Sequence, residues 1–350
     1  MIGVALEGGG ARGSYQIGAI KALKKCGIEP VCYVGTSIGS VNAALAASGD
    51  IKRMERIWRG MSSEELFNID ANLLKAIEEK RINKSILKKG FKTVVDIIKN
   101  AGIDTKKLRK VYKEYLDEEA LRNSNIDFGL VTYSLTDRKP VEIFLRDIPK
   151  GKVYEYLIAS CYLPVFKMEK IIDDKYYLDG GFHDNCPINM LLREGYDEIY
   201  AIGLNSLGNK QDLIKNNAKI IRIAPKKDLG SMLIFNEKSV RENAELGFYD
   251  TLKVLKNLDG HTYYIKNKDH KYYEKITQDI DYMELHMLDN VTTDVKKLTI
   301  RVFERLMKEF GLEVYKVYSV PMLVIKLKGL LYDKPDHKYY NFVKNLKILF

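Results

Sequence analysis

The feature that most constrains this chain is its first 47 residues, where short apolar runs alternate with glycine-rich turns and helical stretches. Residues 2–6 and 31–34 are continuous apolar runs, which are typical of strands buried on both faces of a parallel sheet. Residues 15–25 and 38–47 carry apolar side chains at helical spacing. This alternation predicts an α/β fold with a mostly parallel central sheet flanked by helices.

The two turns of this segment have different chemical uses. Residues 8–13, Gly-Gly-Gly-Ala-Arg-Gly, lie between a strand and a helix and cluster backbone N–H donors that can hold an oxyanion. Residues 35–39, Gly-Thr-Ser-Ile-Gly, have the form of a nucleophile elbow, which exposes Ser37 on a tight strand-to-helix turn. Gly35 and Gly39 would permit the close approach of strand and helix that such a turn needs.

A third motif, Asp179-Gly180-Gly181, follows a predicted hairpin over residues 169–178. Gly180 and Gly181 would let the backbone pack closely around the carboxylate. A carboxylate within hydrogen-bond reach of the Ser37 hydroxyl can act as its general base. The three motifs together therefore predict acyl transfer by a serine nucleophile.

The order and context of these motifs resemble the patatin-like phospholipase family, whose members are serine acyl hydrolases with a Ser–Asp dyad. The resemblance covers about residues 1–257 and implies a three-layer sandwich, with Ser37 as nucleophile and Asp179 as general base. It also implies that the oxyanion is held by the first glycine-rich loop. The residues expected there are Gly8, Gly9, Gly10, Arg12 and Gly13. The dyad chemistry implies neither a metal nor a cofactor.

Two neighbouring features qualify this interpretation. His183 lies four residues after Asp179 and would complete a Ser–His–Asp triad. In the family that this chain resembles, the position is variable and no histidine is catalytic, so we expect a polar loop residue. Residues 159–166 resemble the segment that shapes the acyl pocket in that family, with Tyr162 where a small residue is common.

Three other classes of protein are compatible with parts of the pattern. A catalytically inactive lipid-binding module would keep the fold without the reaction. A nucleotide-binding protein could use Gly8, Gly10 and Gly13 as a G-x-G-x-x-G turn. That fold requires an acidic residue at the end of the second strand, and residues 34–37 contain none. An α/β-hydrolase usually has its elbow deeper in the chain.

The amino-acid composition of the chain changes near residue 259, where tyrosines and lysines become frequent. We therefore expect an acyl hydrolase domain over residues 1–258 and a C-terminal mixed or helical extension of unknown role over residues 259–350. Residues 80–113 form a predicted basic helical insertion with twelve Lys or Arg against two Asp, which equals the net charge of +10 of the whole chain.

The basic insertion has two interpretations. It is either a solvated helical cap or an amphipathic face that contacts an anionic membrane, because apolar residues interleave with its lysines. In the second case the contact residues would be Lys84, Lys88, Lys89 and Lys92.

Composition indicates a globular chain, with 46% hydrophobic and 30% charged residues. No basic leader with a cleavage site opens it, and no uncharged apolar run approaches the roughly 20 residues of a membrane span. The four cysteines are widely spaced, which predicts buried thiols rather than a zinc site or disulfides. We expect a cytoplasmic protein, peripheral to membranes in the second interpretation, that acts on a phospholipid or other lipid ester and not on nucleic acid.

Overall fold

The computed structural model describes residues 1–63, 66, 105–281, 292 and 294–350. The chain forms two compact units, Met1–Thr251 and Leu252–Phe350. The division falls inside a helix, Glu237–Leu255, whereas the sequence predicts a boundary after residue 258. Of the predicted basic insertion, residues 80–104 lie outside the described residues.

Seven described strands of the first unit form one sheet. They are β1 (Ile2–Leu6), β2 (Cys32–Thr36), β3 (Asp127–Ser134), β4 (Lys139–Phe144), β5 (Tyr177–Asp179), β6 (Glu198–Ile202) and β7 (Lys219–Ile223). The order is β4-β3-β2-β1-β6-β7, with β5 also beside β3. The pairs β3–β2, β2–β1, β1–β6 and β6–β7 are parallel, while β4 and β5 run antiparallel to β3.

The helices described in the first unit lie before, between and after these strands. They are α1 (Ser14–Lys25), α2 (Ile38–Ala47), α3 (Ile51–Gly60), α4 (Lys106–Tyr115), α5 (Glu118–Arg122), α6 (Val153–Ser160), α7 (Ile188–Arg193) and α8 (Glu237–Leu255). Short 3₁₀ turns cover Gly10–Gly13, Leu145–Asp147 and Gly180–Phe182.

Successive residues of a strand point to opposite faces of the sheet, and here the residues on each face pack against a helix. On one face, Ala5, Cys32 and Val34 pack with apolar residues of α7. Gly35, which follows Val34, faces the other side, and a Cβ there would lie 2.2 Å from the Gly39 carbonyl oxygen of α2. The α/β fold with a mostly parallel sheet between helices is therefore confirmed.

The hairpin expected over residues 169–178 is reduced in the structure. One bridge joins Ile172 to Lys175, and the turn between them uses Asp173 and Asp174 at φ of 47° and 57°. Two positive φ values in a two-residue turn match the twist of paired strands. Only Tyr177–Asp179 continues as a strand, and it pairs with β3.

The second unit has its own apolar core. Its elements are β8 (Tyr264–Ile265), α9 (His270–Thr277), α10 (Val295–Glu309), β9 (Val317–Tyr318), α11 (Val320–Leu331) and α12 (Tyr340–Asn345). Phe303, Leu323 and Phe342 are fully buried in that core. Across the described parts of both units, none of the helices has the length and apolarity that crossing a membrane takes.

Candidate active site

The two predicted catalytic residues meet because two strands share one edge of β3. β2 runs parallel to β3 and ends with Thr36 beside Val131. β4 pairs with the opposite edge of β3, so β5 pairs with the same edge as β2, farther along β3 and antiparallel to it. β5 ends with Asp179 beside Thr132. The carboxyl ends of β2 and β5 therefore face each other, which brings Ser37, the residue after Thr36, against Asp179.

Ser37 has the backbone conformation of a nucleophile elbow. Its φ of 54° and ψ of −132° are unusual for a residue with a side chain, and such strain persists only where the surroundings impose it. A Cβ on Gly39 would lie 2.3 Å from a carbonyl oxygen of β1, so only glycine fits this crossing. The Ser37 N–H donates to Ser160 Oγ at 2.9 Å, and the Ser40 hydroxyl donates to the Ser37 carbonyl at 2.6 Å.

Asp179 is a buried carboxylate beside this serine. Its Oδ1 accepts the Gly181 N–H at 2.8 Å, while its Oδ2 is buried without a conventional hydrogen bond from any described residue. Burial raises the pKa of the Asp179 carboxyl to about 6, and hydrogen bonding from the Ser37 side chain and the Gly181 N–H opposes that rise. The Ser37 hydroxyl thus interacts with the carboxyl in a geometry looser than a standard hydrogen bond. A carboxylate oxygen that has no conventional hydrogen bond and a raised pKa, and that lies next to a serine hydroxyl, is suited to act as a general base.

The glycine-rich loop presents unused N–H donors on the same side. The N–H groups of Gly9 and Gly10 have no hydrogen-bond partner among the described residues, whereas the Ala11 N–H donates to the Met232 carbonyl at 2.8 Å. Gly10 has a φ of +58°, and a Cβ there would lie 2.0 Å from the Met232 oxygen. Gly8 approaches Ser37 closely, since its Cβ would be 3.0 Å from the Ser37 Cβ. Two free donors therefore lie on a loop that touches the nucleophile.

Arg12 and Gly13 hold this loop rather than extend it toward Ser37. The Arg12 guanidinium donates to the Gly230 carbonyl at 2.7 Å and to the Asn205 carbonyl at 3.2 Å, so it ties the loop to the segments after β6 and β7. A Cβ on Gly13 would meet Trp58 at 3.0 Å, which makes Gly13 a site of close packing. These contacts anchor and pack the loop, and the part of Arg12 and Gly13 in the oxyanion hole stays a prediction.

Glu7 was not among the residues predicted from the sequence. It is fully buried between β1 and the loop, where its carboxylate accepts the Leu204 N–H at 2.5 Å, the Asn185 amide at 3.4 Å and the Lys210 ammonium at 2.9 Å. Asn185 in turn donates to the Gly8 carbonyl at 3.2 Å. A charged residue directly after the apolar first strand was the signal in the sequence. Its partners lie about 180 to 200 positions away, beyond the reach of a local pattern.

The residues after Asp179 have separate structural tasks. A Cβ on Gly180 would lie 2.2 Å from the Val131 carbonyl oxygen, so glycine is required where the turn crosses β3. His183 directs Nε2 to Glu142 Oε1 at 3.4 Å. Its ring thus pairs with a carboxylate other than Asp179, as a polar loop residue.

A small, mostly apolar cavity of about 40 Å³ opens onto Ser37. It is lined by Gly10, Ser37, Ile38, Met61, Leu66, Leu108, Tyr112, Cys161, Leu163, Phe166, Met232, Leu233 and Phe235. The predicted pocket segment contributes Cys161, Leu163 and Phe166. The Tyr162 side chain is not part of the lining, and its hydroxyl donates to the Lys167 carbonyl.

The cysteines and the other titratable groups add no second centre within the described ranges. All four cysteines are free, and burial raises the pKa of Cys32, Cys161 and Cys186 to about 12. Over residues 1–63, 105–281 and 294–350, no three His, Cys, Asp or Glu side chains are grouped as a metal site would require.

An elbow serine, a buried carboxylate and free N–H donors on an α/β sheet form the arrangement that serine-dependent acyl transfer requires. The chain belongs to the patatin-like phospholipase family, whose sequence profile matches residues 4–192, more than half of its length.

The chain is also similar in sequence to part of two fungal lysophospholipases. A lysophospholipase from Aspergillus terreus is 26% identical over 211 residues, covering 59% of this chain and 12% of the relative. One from Phaeosphaeria nodorum is 31% identical over 215 residues, covering 59% and 12%. The chain thus spans about an eighth of the length of these relatives. Among solved structures, VipD from Legionella pneumophila has a TM-score of 0.45 at 15% identity, over 98% of this chain and 86% of that one.

Proposed function

We propose that this protein is a lipid acyl hydrolase that cleaves carboxylic esters through an acyl-enzyme on Ser37, with Asp179 as general base. The observation that carries the proposal is the contact between the strained Ser37 and a buried carboxylate whose Oδ2 has no conventional partner among the described residues. The N–H groups of Gly9 and Gly10, which have no partner among the described residues, support it, because Gly10 and Ser37 line the same cavity.

The first half of the reaction forms the acyl-enzyme. Ser37 Oγ attacks the ester carbonyl while its proton passes to Asp179 Oδ2. The tetrahedral intermediate places negative charge on the former carbonyl oxygen, which the N–H groups of Gly9 and Gly10 stabilise without reorganising. The C–O bond to the alcohol then breaks, and the protonated Asp179 returns its proton to the leaving oxygen.

The second half releases the acid. A water molecule attacks the acyl carbon, and Asp179 takes one of its protons. The intermediate collapses with cleavage of the bond to Ser37 Oγ, which recovers the proton. With a pKa near 6, Asp179 is mostly ionised at neutral pH and still basic enough to accept a proton in the transition state.

The apolar lining of the cavity supports a substrate with an acyl chain. Leu108, Leu163 and Phe235 offer it hydrocarbon surface rather than polar partners. Because the cavity holds only about 40 Å³, the lining side chains have to move apart to admit a long chain. A phospholipid or lysophospholipid is the class we propose, consistent with the names of the fungal relatives.

Contact with an anionic membrane through Lys84, Lys88, Lys89 and Lys92 is also part of the proposal, although these residues lie outside the described ranges. The described end of the basic insertion is α4, whose Lys106, Lys107 and Lys110 are exposed. Its Leu108 and Tyr112 are buried and line the cavity, so this helix joins a basic outer face to the candidate site.

The direct test is hydrolysis of lysophosphatidylcholine and of a short soluble ester by purified wild-type and Ser37→Ala protein. We expect release of fatty acid by the wild type and none above background by the variant. A wild type that binds lipid without hydrolysing either ester would show an inactive lipid-binding module instead.

A further inference from the structure

Helix α11 of the second unit is apolar on both of its sides. Its inner side contributes residues that are at most 1% exposed: Val320, Leu323, Val324, Leu327 and Leu331. The opposite side is open, yet Met322 is 59% and Ile325 40% exposed, and Tyr332 just after the helix is 84% exposed. A helix at a protein surface normally carries polar residues on its open side.

The exposed apolar residues form one stripe. At about 100° per residue, Ile325 and Gly329 fall within roughly 60° of Met322 around the helix axis, and Lys326 lies at the edge of the same stripe. Gly329 is exposed, with no atom within 4 Å of where a Cβ would stand. We call Met322, Ile325, Gly329 and Tyr332 the α11 stripe.

The segment of chain that carries the stripe is basic. Residues 316–350 contain seven lysines, no arginine or glutamate, and two aspartates, a net charge of +5. Lys326 is exposed and forms no ion pair with a described residue. Lys328 instead donates to the Lys344 carbonyl at 2.9 Å and is used within the unit. An occupant of this surface therefore has to combine apolar and anionic groups.

We propose that the α11 stripe docks on the surface of an anionic lipid bilayer. With 12 residues, α11 is shorter than the roughly 20 that a span requires, so it would lie in the plane of the interface. Met322 and Ile325 enter the acyl boundary, the Tyr332 ring rests at headgroup depth, and Lys326 meets lipid phosphates. A second copy of the chain is disfavoured, because two such surfaces would bring like charges together.

The proposal does not rest on hydrolysis, so its test uses Ser37→Ala protein, which cannot consume the vesicles. Flotation with vesicles of phosphatidylcholine and phosphatidylserine is compared with flotation on pure phosphatidylcholine. We expect binding to the anionic vesicles that weakens as salt screens the lysines. Replacing Met322, Ile325 and Tyr332 by serine should lower the partition coefficient by roughly tenfold or more.

Matched controls separate the stripe from general exposure and charge. Val254→Ser and Leu213→Ser change apolar residues that are about as exposed as Ile325, 43% and 39% against 40%, and should leave binding unchanged. Lys326→Glu should weaken binding to anionic vesicles, while Lys256→Glu, at an exposed lysine just after α8, should have a smaller effect.

A spectroscopic readout keeps the proposal testable if the serine variants fold poorly. Trp58 is the only tryptophan and is fully buried, so Met322→Trp adds one environment-sensitive probe. Its emission should shift to the blue on anionic vesicles. An unshifted probe, or unchanged flotation of the folded serine variants, would overturn the proposal. Loss of binding only on reversal of Lys84, Lys88, Lys89 and Lys92 would assign the contact to the basic insertion instead.

Discussion

Two turns of the first unit hold buried aspartates five positions apart, and only one of them faces a nucleophile. In each turn Oδ1 accepts the N–H of the residue two positions later, Gly181 for Asp179 at 2.8 Å and Cys186 for Asp184 at 3.1 Å. Burial raises the pKa of both carboxyls to about 6. Local geometry and protonation are therefore nearly the same.

The difference lies in what surrounds the remaining oxygen. The Asp184 carboxyl also receives hydrogen bonding from the Gln211 backbone, and its pKa is further affected by Glu142 and Arg193. Asp179 Oδ2 is buried without a conventional hydrogen bond from the described residues, and the nearby side chain that affects its pKa is Ser37. We therefore propose Asp179 rather than Asp184 as the general base because it has an oxygen available beside Ser37, and not because of its burial or its pKa.

Exchanging each aspartate for asparagine should separate the two turns most strongly. Asp179→Asn removes the proton acceptor and should lower kcat on a soluble ester by at least about a thousandfold. Asp184→Asn should keep activity within a few-fold of wild type. Circular dichroism of both variants checks the fold. Equal losses in both variants would show that burial, not the contact with Ser37, makes a carboxylate essential here.

The backbone N–H donors of the glycine-rich loop give the next largest effect. Gly10→Ala places a Cβ 2.0 Å from the Met232 oxygen and should displace the loop, costing about 10²- to 10³-fold in kcat. Gly27→Ala is the matched control, because Gly27 also has a positive φ, +74°, but nothing within 4 Å of its Cβ position. If Gly10→Ala retains wild-type kcat, the N–H groups of this loop do not hold the oxyanion.

Glu7 extends the comparison to a third buried carboxylate, one whose oxygens are all partnered. Glu7→Gln puts an amide where Leu204 N–H and the Lys210 ammonium donate, so the loop after β1 should loosen. We expect kcat to fall about tenfold with a smaller change in KM, because the donors are displaced while the cavity remains. Glu29→Gln, on an exposed position, serves as control. An unchanged kcat would make Glu7 a purely structural residue.

The pH dependence of activity should reflect the ionisation of Asp179 and not that of Asp184. Because the base must be ionised, kcat/KM should rise about tenfold per pH unit below the pKa of Asp179, about 6, and level off above it. The Asp184→Asn profile should superimpose on that of the wild type, although burial raises the pKa of Asp184 to the same value. If kcat/KM of Asp184→Asn no longer changed with pH, Asp184 rather than Asp179 would be the general base.

Stability should change by different amounts at the two turns. The folded-state pKa of Asp179 is raised, so the stability linked to its protonation is fully present below about pH 4 and is lost as pH rises through about 6. At neutral pH, Asp179→Asn should therefore stabilise the fold by up to about 3 kcal/mol. The pKa of Asp184 is raised to the same value, so the same gain applies there, but its carboxyl accepts two backbone N–H groups, those of Cys186 and Gln211. The amide N–H₂ introduced by Asp184→Asn would face one of these donors, whereas at Asp179 it replaces an oxygen without a partner among the described residues, so Asp184→Asn should have a lower Tm than Asp179→Asn. Thermal unfolding at pH 7 distinguishes the two.

The parts of this structure that the sequence predicts are those encoded by neighbouring residues. Ser37 between Gly35 and Gly39, and the glycines before α1, follow from tight backbone crossings that no other residue permits. The alternating apolar runs likewise predict β1, α1, β2 and α2 with small errors at their ends. Here the local pattern and the fold agree.

What the sequence does not reveal depends on residues far apart in the chain. Nothing local says that β5 would share an edge of β3 with β2, which is the pairing that brings Asp179 to Ser37. The support from Ser160 and the ties of Glu7 to Lys210 are equally distant. The division of the chain inside α8 is also hidden, because one continuous helix crosses it.

The rate at which a fluorophosphonate labels Ser37 tests the central claim most directly. Peptide mass spectrometry of wild-type protein should find the adduct on Ser37, formed at a rate that rises with pH through about 6. Asp184→Asn should be labelled at the wild-type rate, and Asp179→Asn at least about a hundredfold more slowly. Labelling of another residue, or equal labelling rates in the two variants, would contradict the account.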